Sequence, residues 1–204
     1  MAPIFGVIIS YLAGSIPSAY IAGKLRGVDL RKHGSGNLGA TNVVRVLGAK
    51  TGAVVFVADV LKGFLPVFFL PMYTETLRPD MWALVFGVAA IIGHVKPIFL
   101  LGKGGGKGVA TASGVFLALA FLPMLVAEAV WIVTFYFTRY VSLASLLGAV
   151  VLPIAILVWR HDPQSPVFIA SVIIAVFVFW THRENIGRLR RGEEHRFVKK
   201  ETAA

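Results

Sequence analysis

The chain has 204 residues, of which 57% are hydrophobic and only 15% charged, with a mean hydropathy of +0.78. Soluble domains are about half apolar and about a quarter charged, so a water-soluble globular protein is excluded. The net charge of +10 fits membrane topology and contact with anionic lipid better than nucleic acid, and the absence of cysteine excludes disulfides and thiolate nucleophiles.

Taken in order, apolar runs near 3–23, 51–72, 81–101, 142–159 and 164–181 are each close to the ~20 residues that cross ~30 Å of hydrocarbon as a helix. The first lacks a preceding basic segment and a following small-residue cleavage site, so it reads as a retained helix. Residues 109–138 suit one long helix or two short ones, and charge decides between them. Lys24, Arg26, Arg31, Lys32, Arg45 and Lys50 put the first loop inside; Arg78 beside Glu75 and Asp80 leaves the second outside; Lys103 and Lys107 put the third inside. The tail after Thr181 carries seven Lys/Arg and also belongs inside. That parity requires two spans, 109–121 and 123–138, breaking near Phe121-Leu122-Pro123. The predicted fold is all-α: a single polytopic membrane domain over 1–204, seven transmembrane helices and a basic tail from 182 to 204, N-terminus outside, C-terminus cytoplasmic.

Three polar stretches then share the cytoplasmic face. In His33-Gly34-Ser35-Gly36-Asn37-Leu38-Gly39-Ala40-Thr41-Asn42, the glycines let backbone N–H groups converge, Ser35 and Asn37 donate hydrogen bonds, and Arg45 offers a planar fork for phosphate. The G-x-G-x-x-G match is discarded, because a dinucleotide fingerprint needs a preceding strand. Lys103-Gly104-Gly105-Gly106-Lys107-Gly108 precedes the helix starting near Val109, whose N-terminus favours an anion. It is not a Walker A loop, since Gly108 stands where Ser or Thr would hold magnesium. Thr181-His182-Arg183-Glu184-Asn185 supplies a proton carrier or phosphate donor in His182 and a neutral donor in Asn185, three apart on one helical face.

Taken singly, glycines in membrane helices serve packing and loop cations serve topology; three such stretches on one face point instead to a shared site. Asp59 and Lys62, three apart within the second span, pair either as a structural ion pair or as a functional relay. His94 and Lys96 end the third span, with His94 behind the site and Lys96 reaching for the interface. His161 and His195 receive no role, His33 adjoins the first motif as a flanking residue or part of it, and Arg188, Arg190 and Arg191 are expected at lipid phosphates. The scattered acids and the absence of zinc-ligand spacing argue against a metal.

The motifs together resemble the bacterial membrane acyltransferase family that transfers an acyl group from acyl phosphate to glycerol 3-phosphate. The matching segments are 34–42, Gly93-His94 through Gly108-Val109-Ala110-Thr111, Arg139-Tyr140-Val141-Ser142 and His182-Arg183-Glu184-Asn185. Two glycines separate the lysines of the second motif in the family and three do here, so Lys107 aligns with the functional lysine and Lys103 departs from the pattern.

The resemblance implies acylation of the 1-hydroxyl of glycerol 3-phosphate to give lysophosphatidic acid and inorganic phosphate, without cofactor or metal, at the cytoplasmic side of a bacterial inner membrane. It implies Ser35, Lys107, His182 and Asn185 as catalytic residues. Gly36, Asn37, Thr41, Asn42, Arg45, Lys103, Gly104, Gly105, Gly106, Gly108 and Ser142 are implied as substrate-binding. Expected partners are glycerol 3-phosphate, acyl phosphate and membrane lipids, not nucleic acid, with the chain working as a monomer. The proton acceptor is left open between His182 and a substrate phosphate. A transporter for a phosphorylated solute is the alternative; it would call for repeated halves and a second polar cluster, and neither is visible.

Overall fold

The computed structural model describes residues 1–197; residues 198–204 of the expected basic tail, with Lys199 and Lys200, lie outside the described residues. The secondary structure described is helical throughout. Two compact units are present, 1–121 and 122 onward.

In the first unit, α1 (Pro3–Ser15) begins on a proline, whose missing N–H costs nothing in a first turn, and the Ile16-Pro17 step separates it from α2 (Ser18–Leu25). A short amphipathic helix, α3 (Ala40–Leu47), leads into α4 (Ala49–Phe69), whose 21 residues reach about 31 Å. Next come α5 (Pro79–Val95) and α6 (Val109–Leu119). The second unit holds α8 (Val141–Arg160), α9 (Pro166–Thr181) and α10 (Arg183–Arg191), together with almost all of α7 (Phe121–Thr138).

Among the described residues, five helical segments are long and apolar enough to cross a membrane, or six if α9 and α10, bent by 58°, count as one. The chain is therefore a multi-pass helical membrane protein. The expected seven spans are not reached by length: α6 has 11 residues, about 17 Å of helix. The break expected near 121–123 falls at Ala120 instead. Pro123 sits in the first turn of α7, where backbone N–H groups have no intrahelical acceptor and a proline breaks nothing.

Glycines set the packing of the first unit. A Cβ at Gly63 would run into the Thr111 carbonyl, and one at Gly114 into the Val60 carbonyl, so α4 and α6 touch backbone to backbone. Gly14 lies against Ala90 in the same way, and Gly93 against Tyr11 and Ser15, which joins α1 to α5. Without a hydrophobic drive between helices in lipid, such close approach supplies the association energy through dispersion. Gly114→Val is expected to cost about 1–3 kcal/mol through overpacking and to lower the unfolding midpoint in detergent. Gly148→Ala is expected to leave it at or above wild type, because a Cβ there meets nothing closer than 3.5 Å.

Candidate functional site

The first polar loop is organised by Asn42. Its side-chain amide donates to the carbonyls of Leu30 (3.1 Å) and His33 (3.0 Å), and its Oδ1 accepts from the Ser35 backbone N–H at 2.9 Å. Asn42 is fully buried; expected to touch substrate, it spends its amide inside the loop. Gly34 and Gly36 have φ of +60° and +70°, and a Cβ at Gly34 would collide with Asn42 Oδ1. The turn therefore needs glycine, and it leaves Ser35 exposed at its tip. Gly39 ends the loop as the cap of α3, which carries Thr41, Asn42 and half-buried Arg45. At the loop's start, Arg31 donates to both carboxylate oxygens of Asp29 (2.9 and 3.0 Å). The Arg31 side chain, helped by its backbone N–H, holds the Asp29 carboxyl at about 2.

The second loop leaves α5 through Pro97 and crosses Leu101, Gly102, Gly104 and Gly108, all with positive φ, before α6 starts at Val109. Gly104 packs 3.5 Å from the Leu38 side chain and 3.6 Å from that of Arg31, measured from where its Cβ would stand, so this loop lies on the first one. Gly105 abuts the carbonyls of His94 and Val95, and Gly106 abuts the His94 imidazole. Lys107 is half-buried and Lys103 exposed. The first unit thus brings together the two glycine loops predicted to cradle anions, with the N-terminus of α6 behind the second.

Beneath that loop lies a buried polar group. Lys62 Nζ is 2.7 Å from Asp59 Oδ1 and donates to the Ile16 carbonyl at 2.9 Å; His94 Nδ1 stands 3.8 Å from the same Asp59 oxygen. The pairing of Asp59 with Lys62 expected from their spacing is present, and His94 joins it.

In the second unit, His182 caps the end of α9, buried, with Nδ1 2.8 Å from the Val178 carbonyl. A carbonyl only accepts, so Nδ1 carries the hydrogen and the neutral ring's lone pair sits on Nε2. Asn185 and Ser142 both donate to Glu194 Oε1, at 2.6 and 2.9 Å, and Arg188 Nε donates to Oε2 at 2.7 Å. Arg188 Nε is tied to Glu194, and Arg191 is likewise paired with Glu193 at 2.7 Å. Past Gly192, at φ +71°, the chain turns back over the α7–α8 corner: Arg196 donates to Tyr140 Oη (2.8 Å), and the Phe197 N–H donates to the Arg139 carbonyl (2.9 Å).

The sequence reading missed Glu194. The available signal was Gly192, which stops an arginine-rich helix and sends the next residues back along it. Burial pushes the Glu194 carboxyl up, but hydrogen bonds from Asn185, Arg188 and Ser142, together with the Arg188 charge, outweigh this and hold it below the usual range.

These features have close counterparts. The glycerol-3-phosphate acyltransferase family model matches residues 4–192. The chain belongs to the glycerol-3-phosphate acyltransferase family. The family member from Trichlorobacter lovleyi is 46% identical, over 96% of this chain and 98% of its own, and that from Aquifex aeolicus is 44% identical over 97% and 100%. The crystal structure of PlsY, an integral membrane glycerol 3-phosphate acyltransferase, in its glycerol 3-phosphate form superposes with a TM-score of 0.88 at 42% identity over 96% of both chains. Its lysophosphatidic acid form superposes with a TM-score of 0.85 at 41% identity, over 96% of this chain and 95% of the other. Family membership thus agrees with the resemblance drawn from the motifs.

Glu194→Ala strands three donors and is expected to cost about 2–3 kcal/mol, read as a lowered unfolding midpoint. Because the folded carboxyl titrates below its unfolded value of about 4.3, its stabilisation is complete above that value. It is lost as pH falls through the lower folded value. The midpoint of wild type should therefore fall more steeply than that of Glu194→Gln over this acid range.

Proposed function

We propose that this protein transfers an acyl group from acyl phosphate to the 1-hydroxyl of glycerol 3-phosphate, releasing lysophosphatidic acid and inorganic phosphate. The observation that carries the reading is the match, over nearly the whole of both chains, to an enzyme characterised in a glycerol 3-phosphate form and a lysophosphatidic acid form. Those two molecules differ by one acyl group, so they are substrate and product of a single acylation.

The 1-hydroxyl oxygen attacks the acyl carbonyl carbon, a tetrahedral oxyanion forms, and the bond from that carbon to the phosphate oxygen breaks, so that phosphate leaves. Lys107 and the N–H groups of Gly104, Gly105, Gly106 and Gly108 face the acyl phosphate and the developing negative charge; one such donor is worth about 3–4 kcal/mol. Ser35, Arg45, His182 and Asn185 serve chiefly glycerol 3-phosphate, with Gly36, Asn37 and Thr41 shaping the first cradle. Asn42 acts by holding that cradle, and Ser142 by helping Glu194 to orient Asn185. The hydroxyl proton passes to a substrate phosphate, whose second pKa is about 6, or to His182 Nε2, the nitrogen that the Val178 contact leaves with the lone pair. No cysteine is present to form an acyl-thioester intermediate, which favours direct transfer.

The distribution of Lys and Arg supports seven spans, with the N-terminus outside and the catalytic loops on the cytoplasmic side of a bacterial inner membrane. The chain is proposed to work as a monomer among membrane lipids.

The deciding experiment mixes purified protein in detergent with glycerol 3-phosphate and palmitoyl phosphate, without metal or acyl-CoA. Equal amounts of phosphate and lysophosphatidic acid are expected, and Lys107→Ala should lower the rate by about 100-fold or more. Folded wild type that forms no product, even with acyl-CoA or acyl carrier protein donors added, would overturn the reading. His182→Ala is expected to weaken glycerol 3-phosphate binding yet retain measurable turnover at saturation; complete loss with unchanged binding would assign the proton to His182.

A further inference from the structure

Four buried polar side-chain atoms of the first unit have no hydrogen-bond partner among the described residues: Ser15 Oγ, Asp59 Oδ1, His94 Nδ1 and Thr111 Oγ1. They belong to four different helices, α1, α4, α5 and α6, and their residues are 0%, 2%, 7% and 0% exposed. A buried group left unmatched keeps its full desolvation penalty, so four in one small helical unit call for an occupant that satisfies them.

Their neighbours draw the four into one layer. Asp59 Oδ1 and His94 Nδ1 stand 3.8 Å apart, too far for a direct hydrogen bond. Ser15 backs onto Gly93, the residue before His94, where a Cβ would stand 2.8 Å from the Ser15 nitrogen. The carbonyl of the next residue, Ile16, accepts from Lys62 Nζ, which is itself 2.7 Å from Asp59 Oδ1. Thr111 lies against Gly63, the residue after Lys62, where a Cβ would stand 3.1 Å from Thr111 Cγ2.

The two hydroxyls are not satisfied in the usual way. Ser10, Thr74, Thr138 and Ser145 each turn back to donate to the carbonyl four residues earlier, at 2.6 to 2.9 Å, as hydroxyls on helices commonly do. Ser15 has the Tyr11 carbonyl in the same relation and makes no such bond. Thr111 stands in the first turn of α6, where no helical carbonyl lies four residues back.

Charge decides what these atoms hold. Asp59 and Lys62 already cancel, so a bound cation would bury an uncompensated charge, and an anion would face the Asp59 carboxylate. The occupant is therefore neutral, and it has to accept from hydroxyls and donate to a carboxylate. Water does both.

We infer that Ser15, Asp59, His94 and Thr111 form an internal water site in the helical core of the first unit, where ordered water is shared between their unmatched atoms. It solvates the Asp59–Lys62 pair on the side the protein leaves unmatched and links α1 and α6 to it. The other edge of the His94 imidazole abuts Gly106, so a single ring separates the site from the second glycine loop. The inference does not depend on which reaction the protein catalyses.

The test uses Thr111→Val, which keeps the shape and deletes the hydroxyl, together with Ser15→Ala and the double variant. Each is read by thermal unfolding of the purified protein in detergent, and wild type and Thr111→Val by crystal structures that resolve ordered water. Each single variant should unfold about 2–4 °C lower, and the double variant should lose less than the sum, because both changes remove the same water. Wild type should show water within about 3.2 Å of at least two of the four atoms; Thr111→Val should lack it, and Thr111→Ser should keep it. If Thr111→Val does not purify folded, Ser15→Ala and the wild-type crystal structure decide.

Raised midpoints in both single variants would overturn the inference, since deleting a hydroxyl that nothing satisfies relieves its burial penalty. Additive losses with no water at these atoms would do the same. So would a wild-type midpoint higher in sodium chloride than in choline chloride at equal ionic strength, with the difference lost in Ser15→Ala, which would assign the site to a cation.

Discussion

Close backbone contact at glycine is the interaction on which the first unit depends. Lipid supplies no hydrophobic force to press one helix on another, so association has to come from contact area, and contact between helix backbones requires residues without side chains. Gly63 and Gly114 let α4 and α6 meet, and Gly14 and Gly93 let α1 and α5 meet. Within this packed unit Asp59 on α4 stands 3.8 Å from His94 on α5, and Lys62 reaches the carbonyl exposed at the Ile16-Pro17 break.

The same geometry explains why flexible residues can form a defined site. A run such as Gly104-Gly105-Gly106 has a large conformational entropy when unrestrained, and left to itself it would not hold an anion in one place. Here the run is confined from below by α5 and the imidazole of His94, and from the side by Leu38 and Arg31. The first loop uses a different device, the buried amide of Asn42, which satisfies two carbonyls and one N–H of a turn that has no helix or strand to do so. In both loops the fixed groups are internal, and Ser35 and Lys107, the groups proposed to face phosphate, are carried by them.

The second unit is organised on a carboxylate. Glu194 gathers Ser142 from α8 and Asn185 and Arg188 from α10, and the residues after Gly192 add contacts to Tyr140 and Arg139. A carboxylate accepting three hydrogen bonds is stable in a buried position because each oxygen is matched by a donor, two on one and one on the other. Asn185 is thereby oriented by a residue that touches no substrate in the proposed scheme.

The amino-acid sequence by itself determined that the molecule is a multi-pass helical membrane protein and where its polar loops lie along the chain, because apolar length and glycine/charge clusters are local properties that a single pass along the chain reveals. It also indicated that Asp59 and Lys62 pair, since three residues of helix place them side by side. Other features depended on tertiary structure. The break at Ala120 instead of Pro123 depends on where α7 begins, since a proline in a first turn is harmless. The roles of Asn42, His94 and Glu194 come from partners 7 to 12, 35 and 52 residues away in the cases of Ser35 and Leu30, Asp59, and Ser142. Such contacts have no periodicity to betray them. They exist only because helices packed through glycine and a chain reversed at Gly192 bring distant residues within hydrogen-bonding reach, and that juxtaposition is a property of the folded backbone.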